Sequence, residues 1–163
     1  MTNFFHSSAS IGKFASIEVS SRGTNTVIGQ LSVIDDFVKI KHVAGGGDVV
    51  IGDFVYINSG SVLYSGNGIS IGNNVLIGPN CNLVPVNHNF YHRNEVIRLQ
   101  GYRKSLGGIV IEDDVWLGAN VTVLDGAFIR KGCVIAAHSL IMGNTVEYGV
   151  YAGSPAKLVK MRP

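Results

Sequence analysis

Aliphatic residues recur at every sixth position through the second half of this chain. Six consecutive hexads fill residues 111–146, and each opens with an aliphatic residue and places a small or β-branched residue at its fifth position. The openers are Ile111, Leu117, Val123, Ile129, Ile135 and Ile141. The fifth positions are Val115, Val121, Ala127, Cys133, Ser139 and Thr145. Neither an α-helix nor an ordinary hairpin ladder keeps this phase beyond two repeats. The pattern predicts a parallel β-helix, in which each hexad forms a short strand and a corner around a buried aliphatic column.

The same period occurs earlier in the chain, with interruptions. Two sets of openers each predict one turn of a triangular coil: Ile51, Ile57 and Leu63, then Ile71, Ile77 and Leu83. Openers at 11, 17, 28, 34 and 40 predict two irregular starting coils, and the three glycines at 45–47 absorb a change of register. Gly, Asn and Asp follow the openers, as tight corners require. The acidic residues are spread one per corner, which does not favour a calcium site.

Composition is consistent with one domain over residues 1–163. Hydrophobic residues make up 46% of the chain and charged residues only 15%, so uncharged polar corners must supply much of the surface. The net charge of +2 is too small to indicate a nucleic-acid or anionic-membrane partner. No segment has the apolar length of a membrane span, and the first ten residues do not resemble a secretory signal. We therefore expect a cytoplasmic protein.

Two cysteines, Cys81 and Cys133, stand at fifth positions of their hexads. These positions face the interior of the predicted coil, so we expect reduced thiols in the core rather than a disulfide or metal site. A covalent nucleophile is the functional alternative. Burial among apolar side chains raises the pKa of a thiol and argues against it.

The sixth positions of the hexads point outward, yet many are apolar: Val62, Leu76, Trp116, Phe128, Val134, Leu140 and Val146. Three hexads make one turn, so residues eighteen apart should stack, Trp116 on Val134 and Thr122 on Leu140. An outward apolar face of this kind predicts homo-oligomerisation, and a three-sided prism suits three-fold closure.

One long segment, residues 89–108, interrupts the repeat and predicts a protruding loop. It carries four cations against the single acid Glu95: Arg93, Arg98, Arg103 and Lys104. Two interpretations stay open, a solvated loop that covers an edge and a contact for an anionic substrate.

The C-terminal residues predict a turn followed by a short helix over about 155–161. Ser154 would be the N-cap and Pro155 the first helical residue. Lys157 and Lys160 would then share one face of the helix.

Four segments together resemble the hexapeptide-repeat acyltransferases of left-handed parallel β-helix fold, and among them the maltose, galactoside and O-antigen or capsule sugar O-acetyltransferases. They are IGNNVLIGPN at 71–80, NHN at 87–89, IEDDVWLGANV at 111–121 and AGSPAK at 152–157. The left hand of the coil comes from this resemblance alone. The resemblance implies transfer of an acetyl group from acetyl-CoA to a hydroxyl of a small or polymeric sugar, with no metal. It places the site between neighbouring subunits of a homotrimer.

The resemblance also assigns roles to individual residues. His88 matches the catalytic histidine, while Asn58, with Tyr56 close by, matches a residue that contacts the sugar. Trp116 matches a tryptophan that lines the pocket near the thioester. The remaining matches concern CoA: Ala119 and Ala137 along the pantetheine arm, and Lys157 and Lys160 near the phosphates.

A sugar hydroxyl is a weak nucleophile at neutral pH, and a positioned imidazole can remove its proton during attack on the thioester. His88 is the expected base, and Glu95, a backbone carbonyl or another subunit could orient its ring. His92 is a second loop candidate. The remaining histidines, His6, His42 and His138, are expected to be packed or solvated.

Three other activities stay open. The same coil serves sugar-nucleotide N-acetyltransferases, for which the basic loop would meet the nucleotide. Zinc-dependent hydration of carbon dioxide needs three converging histidines, and only His88 and His92 are near each other in sequence. A non-catalytic scaffold would need the repeats but not His88, Trp116 and the terminal lysines.

Overall fold

The computed structural model describes residues 3–163, so the first two residues of the predicted domain lie outside the described residues. These residues form a three-sided prism of parallel sheets, which we name faces A, B and C. Face A contains β1 (Phe4–Phe5), β4 (Thr26–Ile28), β7 (Val49–Ile51), β10 (Ile69–Ile71), β13 (Ile109–Ile111) and β16 (Phe128–Ile129). Face B contains β2 (Ser10–Ile11), β5 (Val33–Ile34), β8 (Tyr56–Ile57), β11 (Leu76–Ile77), β14 (Trp116–Leu117), β17 (Val134–Ile135), β19 (Gly149–Gly153) and β20 (Ala156–Met161). Face C contains β3 (Ser16–Ile17), β6 (Lys39–Lys41), β9 (Val62–Tyr64), β12 (Asn82–Val84), β15 (Thr122–Leu124) and β18 (Leu140–Ile141).

From β1 to β18 the chain visits faces A, B and C in turn, and each strand up to β15 pairs in parallel with the strand one coil later. This confirms the parallel β-helix that the hexads predict. The register also agrees, since Trp116 pairs with Val134 and Thr122 with Leu140. The long loop between β12 and β13 departs from the coil and contains one short 3₁₀ helix at Ile97–Leu99. No helix within residues 3–163 is long and apolar enough to cross a membrane.

The repeated inward positions form the core. From the second coil onward every opener is buried, and so are the fifth positions from Val115 to Thr145. Each buried Val, Leu or Ile contributes about 1.5–3 kcal/mol by leaving water. The stacked columns therefore supply most of the stabilisation of the prism.

Both cysteines are buried and free, as predicted. The Cys81 thiol donates to the Gly118 carbonyl oxygen at 3.1 Å. Burial raises the pKa of Cys81, against a smaller opposite effect of backbone hydrogen bonds at Val121 and Asn120. A neutral, enclosed thiol of this kind is a core residue and not a nucleophile.

The prediction of a C-terminal helix over about 155–161 is wrong. Residues Ala156–Met161 form β20, which pairs antiparallel with β19, and Ser154 and Pro155 lie in the turn between the two strands. The last parallel strand of face B would otherwise leave its backbone groups unpaired, and β20 satisfies them. This tertiary hydrogen bonding outweighs the local capping signal.

His42 is packed inside the second coil, whereas His6 and His138 are exposed. The His42 ring is within 2.7 Å of the Thr24 hydroxyl and 3.1 Å of the Thr26 hydroxyl. Burial lowers the pKa of His42 from its ordinary value of 6.5, and the nearby Glu18 and Asp48 carboxylates only partly oppose this.

The lowered pKa of His42 predicts a pH-dependent stability. The unfolded chain binds a proton at His42 near pH 6.5, whereas the folded chain does so only at lower pH. The contribution of neutral His42 to the free energy of unfolding should therefore be fully present above pH 6.5. The free energy of unfolding should fall as the pH drops below this value. Urea unfolding at several pH values on both sides of this point measures the effect, with His42→Gln as the comparison. Parallel pH profiles for the two proteins would contradict the prediction.

Candidate active site

The outer side of face B carries a row of residues that pair across successive strands. From the third coil towards the last, the row contains Tyr56, Leu76, Trp116, Val134, Val150 and Lys160. The Trp116 side chain is 53% exposed and Tyr56 is 38% exposed. Parallel strands are about 4.8 Å apart, so Tyr56 and Trp116 lie about 10 Å apart along this row. Two of the predicted substrate contacts are therefore on one surface.

The corner that joins face B to face C, which we name the B/C corner, carries three more of the predicted residues. Asn58, Ala119 and Ala137 lie in turns that stack along this edge, through hydrogen bonds such as that from the Gly118 nitrogen to the Ile135 carbonyl at 2.8 Å. The Asn58 amide donates to the Ile77 carbonyl oxygen at 2.8 Å, which fixes its side chain. Ala137 is exposed and Ala119 half-buried.

Small residues are required along this corner. A Cβ atom on Gly118 would lie 2.7 Å from the Ala137 nitrogen, so glycine permits the close stacking of the two turns. The alanines at 119 and 137 add only a methyl group each to this edge.

The two lysines lie on the C-terminal hairpin. Lys157 pairs with Ala152 and Lys160 with Val150, and both side chains are exposed. A register shift between these pairs adds one residue to β20, so both lysines lie on the outward side of face B. They share a face as predicted, although a bulged strand and not a helix produces this.

A shallow cleft of about 290 Å³ lies beside Trp116. Its lining includes Asn74, Asp114 and Arg162. The Arg162 guanidinium donates to the Asp114 carboxylate at 3.0 Å and to the Gly132 carbonyl at 3.1 Å, which ties the end of β20 to the cleft. The sequence pattern does not reveal Arg162, because it follows a segment in which local signals predict a helix.

His88 lies elsewhere. It follows β12 at the corner that joins face C to face A, which we name the C/A corner, and its side chain is exposed. The imidazole stacks on the Tyr102 ring, with centroids 4.6 Å apart and planes tilted by 36°. Within residues 3–163 no hydrogen bond reaches the imidazole, and Glu95 makes only backbone contacts with the rest of the loop.

The protruding loop has an ordered stem. The Asn89 nitrogen donates to the Gly101 carbonyl at 2.9 Å, and the Arg103 nitrogen donates to the Asn87 carbonyl at 2.8 Å. His88 and Tyr102 face each other between these bonds as an antiparallel bridge. The stem therefore holds the backbone of His88 on both sides.

Beyond the stem, the loop exposes both charged and apolar side chains. Neither of the two ion pairs found in residues 3–163, Arg130 with Glu112 and Arg162 with Asp114, involves the loop. The Arg103 guanidinium lies 5.5 Å from the centre of the Tyr91 ring. The exposed apolar side chains of the loop are Phe90, Tyr91, Val96, Ile97, Leu99, Tyr102 and Leu106.

One chain does not bring all the predicted residues together. Asn58 precedes face C at the B/C corner, and His88 follows face C at the C/A corner. At about 3.3 Å per residue, one face of the coil separates them by about 15–20 Å. Tyr56, Asn58, Trp116, Ala119, Ala137 and the two lysines form one surface, and His88 with its loop forms another.

The described residues offer no metal centre. No three His, Cys, Asp or Glu side chains within residues 3–163 converge as ligands. His88 and His92 therefore have no third partner in one copy of the described chain.

No protein-family model matches the chain. A probable acetyltransferase of Mycobacterium tuberculosis is 32% identical over 152 residues, which are 93% of this chain and 49% of that protein. The Escherichia coli protein WbbJ, provisionally named a lipopolysaccharide biosynthesis O-acetyl transferase, is 50% identical over 52 residues, which are 32% of this chain and 26% of WbbJ. The chain spans about half the length, or less, of these curated relatives.

Solved structures of acyltransferases share the fold, and two of them illustrate it. One is a mutant of AntD, an N-acyltransferase from Bacillus cereus, in complex with dTDP-4-amino-4,6-dideoxyglucose and coenzyme A, with a TM-score of 0.81 and 21% identity over 99% of this chain and 84% of that chain. The other is the hexapeptide-repeat acetyltransferase VCA0836 of Vibrio cholerae with acetyl-CoA, with a TM-score of 0.64 and 23% identity over 99% of this chain and 71% of that chain. The predicted fold class and the resemblance to acyltransferases of this fold are confirmed.

Proposed function

We propose that this protein transfers an acetyl group from acetyl-CoA to a hydroxyl of a sugar or polysaccharide precursor, in sites formed between the copies of a homotrimer. Relatives named acetyltransferases support the reaction class, and fold neighbours bound to CoA or acetyl-CoA support the donor. We further propose that the reaction takes place in the cytoplasm, where the buried thiols of Cys81 and Cys133 would stay reduced.

The main support for a site between copies is that the predicted site residues are divided between two corners of one prism. The residues proposed to contact the ligands lie on face B and the B/C corner, while the candidate base lies across face C. A neighbouring copy that turns its C/A corner towards this face B would bring the two sets together. Three such head-to-tail contacts close a ring when neighbouring copies are related by a rotation of about 120°.

Uncovered apolar surface supports this assembly. Leu76 is 52% exposed on face B, next to Trp116, and the loop beside His88 exposes Tyr91 and Ile97 by 64% and 56%. Surfaces of this kind on a water-exposed protein mark contacts with a partner. In the trimer they would cover one another and exclude water from the reacting groups.

His88 acts as general base in this scheme. Its imidazole removes the proton of the acceptor hydroxyl while the hydroxyl oxygen forms a bond to the thioester carbonyl carbon. The carbon–sulfur bond then breaks, and the imidazolium returns the proton to the departing CoA sulfur. The ring stacking on Tyr102 limits how far the imidazole can turn, which helps to keep one nitrogen directed at the acceptor.

The B/C corner accommodates the donor. Ala119 and Ala137 leave room for the pantetheine arm along the edge of the prism, and Trp116 lies beside it, two residues before the corner glycine Gly118. Lys157 and Lys160 extend this surface at the last strands and can pair with CoA phosphates. Asn58 and Tyr56 lie in an earlier coil and would contact the acceptor.

A second candidate function is acyl transfer to the amine of a sugar nucleotide. The B. cereus fold neighbour holds an amino-sugar nucleotide, and the loop of this chain carries Arg93 and Arg98 without an ion-pair partner in residues 3–163. Such cations could meet a diphosphate. The relative WbbJ, named for O-acetyl transfer, favours the hydroxyl acceptor.

Acetyl transfer with defined acceptors tests the proposal. The full chain is incubated with acetyl-CoA and either neutral mono- and oligosaccharides or amino-sugar nucleotides, and release of the CoA thiol is measured. We expect turnover with the neutral sugars, and base-labile ester products identified by mass spectrometry. Turnover with amino-sugar nucleotides alone would replace this proposal by the second candidate, and no turnover with either set would reject both.

A further inference from the structure

The Asp125 carboxylate is buried at the C/A corner, where the residue is 4% exposed. It accepts three hydrogen bonds: from the Leu106 nitrogen at 2.9 Å, the Gly108 nitrogen at 2.9 Å and the Asn67 side-chain amide at 3.1 Å. No cation pairs with it among the ion pairs of residues 3–163. A buried carboxylate must be compensated by donors of this kind, so all three groups are held close to it.

Two of these donors belong to the last residues of the protruding loop, Leu106 and Gly108. The third, Asn67, also contacts the short segment that leads from β12 into the loop, because its backbone nitrogen donates to the Pro85 carbonyl oxygen at 3.1 Å. Asn67 therefore links both ends of the loop. Its backbone bonds to the segment that enters the loop, and its side chain bonds to the Asp125 carboxylate, which holds the last loop residues.

Other corner aspartates have a different role. Asp53 and Asp113 each accept a backbone N–H from the neighbouring coil, from Gln30 at 2.9 Å and from Asn73 at 2.6 Å. They tie one regular corner to the next. Asp125 instead ties a corner to a segment outside the repeat.

The three contacts of Asp125, which we name the clamp, are connected to His88 through the stem of the loop. The Arg103 nitrogen bonds to Asn87, next to His88, and Leu106 follows Arg103 by three residues. Pro85 precedes His88 by the same number of residues. A shift of either end of the loop would therefore move the stem and the imidazole with it.

From these contacts we infer that Asp125 and Asn67 are positioning residues, which clamp both ends of the loop and thereby set the place of the His88 imidazole for catalysis. This inference rests on the proposed function for its catalytic consequence, while the clamp itself is a property of the fold. Displacement of a catalytic group by about 1 Å can cost about 100-fold in rate, so the clamp matters even though it touches no substrate.

The test compares Asp125→Ala and Asp125→Asn with the wild type. In Asp125→Asn the amide nitrogen faces a backbone N–H donor, so the near-isosteric variant should also weaken the clamp. We expect kcat to fall by about 10–100-fold, with the KM for acetyl-CoA within about 2-fold, because the donor surface lies at another corner. Asn67→Ala removes one donor to the carboxylate and keeps the backbone bond to Pro85, so its effect should be smaller.

Two measurements report on the loop without any assay of activity. Amide-resolved hydrogen exchange should be faster for Leu106 and Gly108 in the variants, whereas the Ile109 amide, which bonds to the Gly68 carbonyl, serves as an internal reference. Limited trypsin digestion should cut faster after the four basic residues of the loop. Asp53→Ala is the matched control, since it removes a corner carboxylate that makes no contact with the loop.

Slower turnover together with faster exchange and cleavage, absent in Asp53→Ala, supports the clamp. Unchanged exchange and cleavage in both Asp125 variants overturn it, and a loosened loop with wild-type kcat overturns its catalytic role. If Asp125→Ala does not fold, Asp125→Asn and Asn67→Ala decide the matter. Should the wild type transfer no acetyl group to any acceptor, the proposed function fails, and exchange and cleavage still decide whether the clamp exists.

Discussion

Replacing His88 with alanine is expected to lower kcat by about 100- to 10,000-fold, the range that general-base catalysis contributes. The KM for acetyl-CoA should change little, because the proposed donor contacts lie on face B and the B/C corner. The fold should be unaffected, since the imidazole is exposed and its contact within residues 3–163 is the Tyr102 ring. Steady-state kinetics and thermal unfolding of both proteins measure these effects.

Added imidazole distinguishes a missing base from a disturbed loop. Alanine at position 88 leaves an open space for a small base, so free imidazole should restore part of the activity of His88→Ala. The control is His92→Ala, in the same loop, where a backbone contact to Gln100 is kept and activity should stay near that of the wild type. Unchanged turnover in His88→Ala would remove the proposed base.

Mixing two inactive variants is expected to restore activity. If each site takes His88 from one copy and Asn58 from the next, then a trimer of His88→Ala and Asn58→Ala chains contains some sites in which both residues are present. In every mixed trimer about one third of the sites are intact, since only one of its three contacts joins a copy with His88 to a copy with Asn58 in the required order. Co-expression with two different affinity tags isolates the mixed trimers, and their turnover is compared with that of each parent.

A second pair serves as the control for this experiment. Asn58 and Trp116 lie on the same surface of one copy, so mixing Asn58→Ala with Trp116→Ala should restore no intact site. Equal restoration in both pairs, or none in the first, would contradict a site shared between copies. A monomer would form no mixed species at all, so the tagged purification by itself reports whether the copies associate.

The fold could be predicted because the six-residue spacing of the aliphatic openers determines which residues point into the core. The aliphatic openers of residues 111–146 and of the two earlier triplets all become inward positions, and the eighteen-residue spacing gives the observed pairing of Trp116 with Val134. A register of this kind is fixed by sequence spacing alone, since a shift by one residue would turn the core outward.

The C-terminal segment shows where local signals fail. Ser154 and Pro155 have the sequence pattern of a helix start, but the adjacent strand β19 offers an unpaired edge. Nothing in residues 156–161 themselves indicates whether that edge is free. Residues 156–161 form β20 because the folded prism offers the free edge of β19 as a hydrogen-bonding partner.

The candidate site was predictable in part. The row of Tyr56 and Trp116 follows from the register, as does the stacking of Ala119 and Ala137 at the B/C corner. The place of His88 depends on the path of a loop that does not follow the repeat. Asp125 could not be singled out, because in the sequence it is one of several corner aspartates and only the folded loop reveals its three donors.

The stacking of turns at the B/C corner fixes the spacing between equivalent residues along this edge. Positions along this edge change in steps of one coil, about 4.8 Å, so the span from Asn58 to Ala137 is about three steps. A substrate of different length cannot be met by a small stretch of the scaffold. It would need a whole coil inserted or deleted, or a side chain of another size. The distance between the proposed acceptor and donor contacts therefore changes in whole coils.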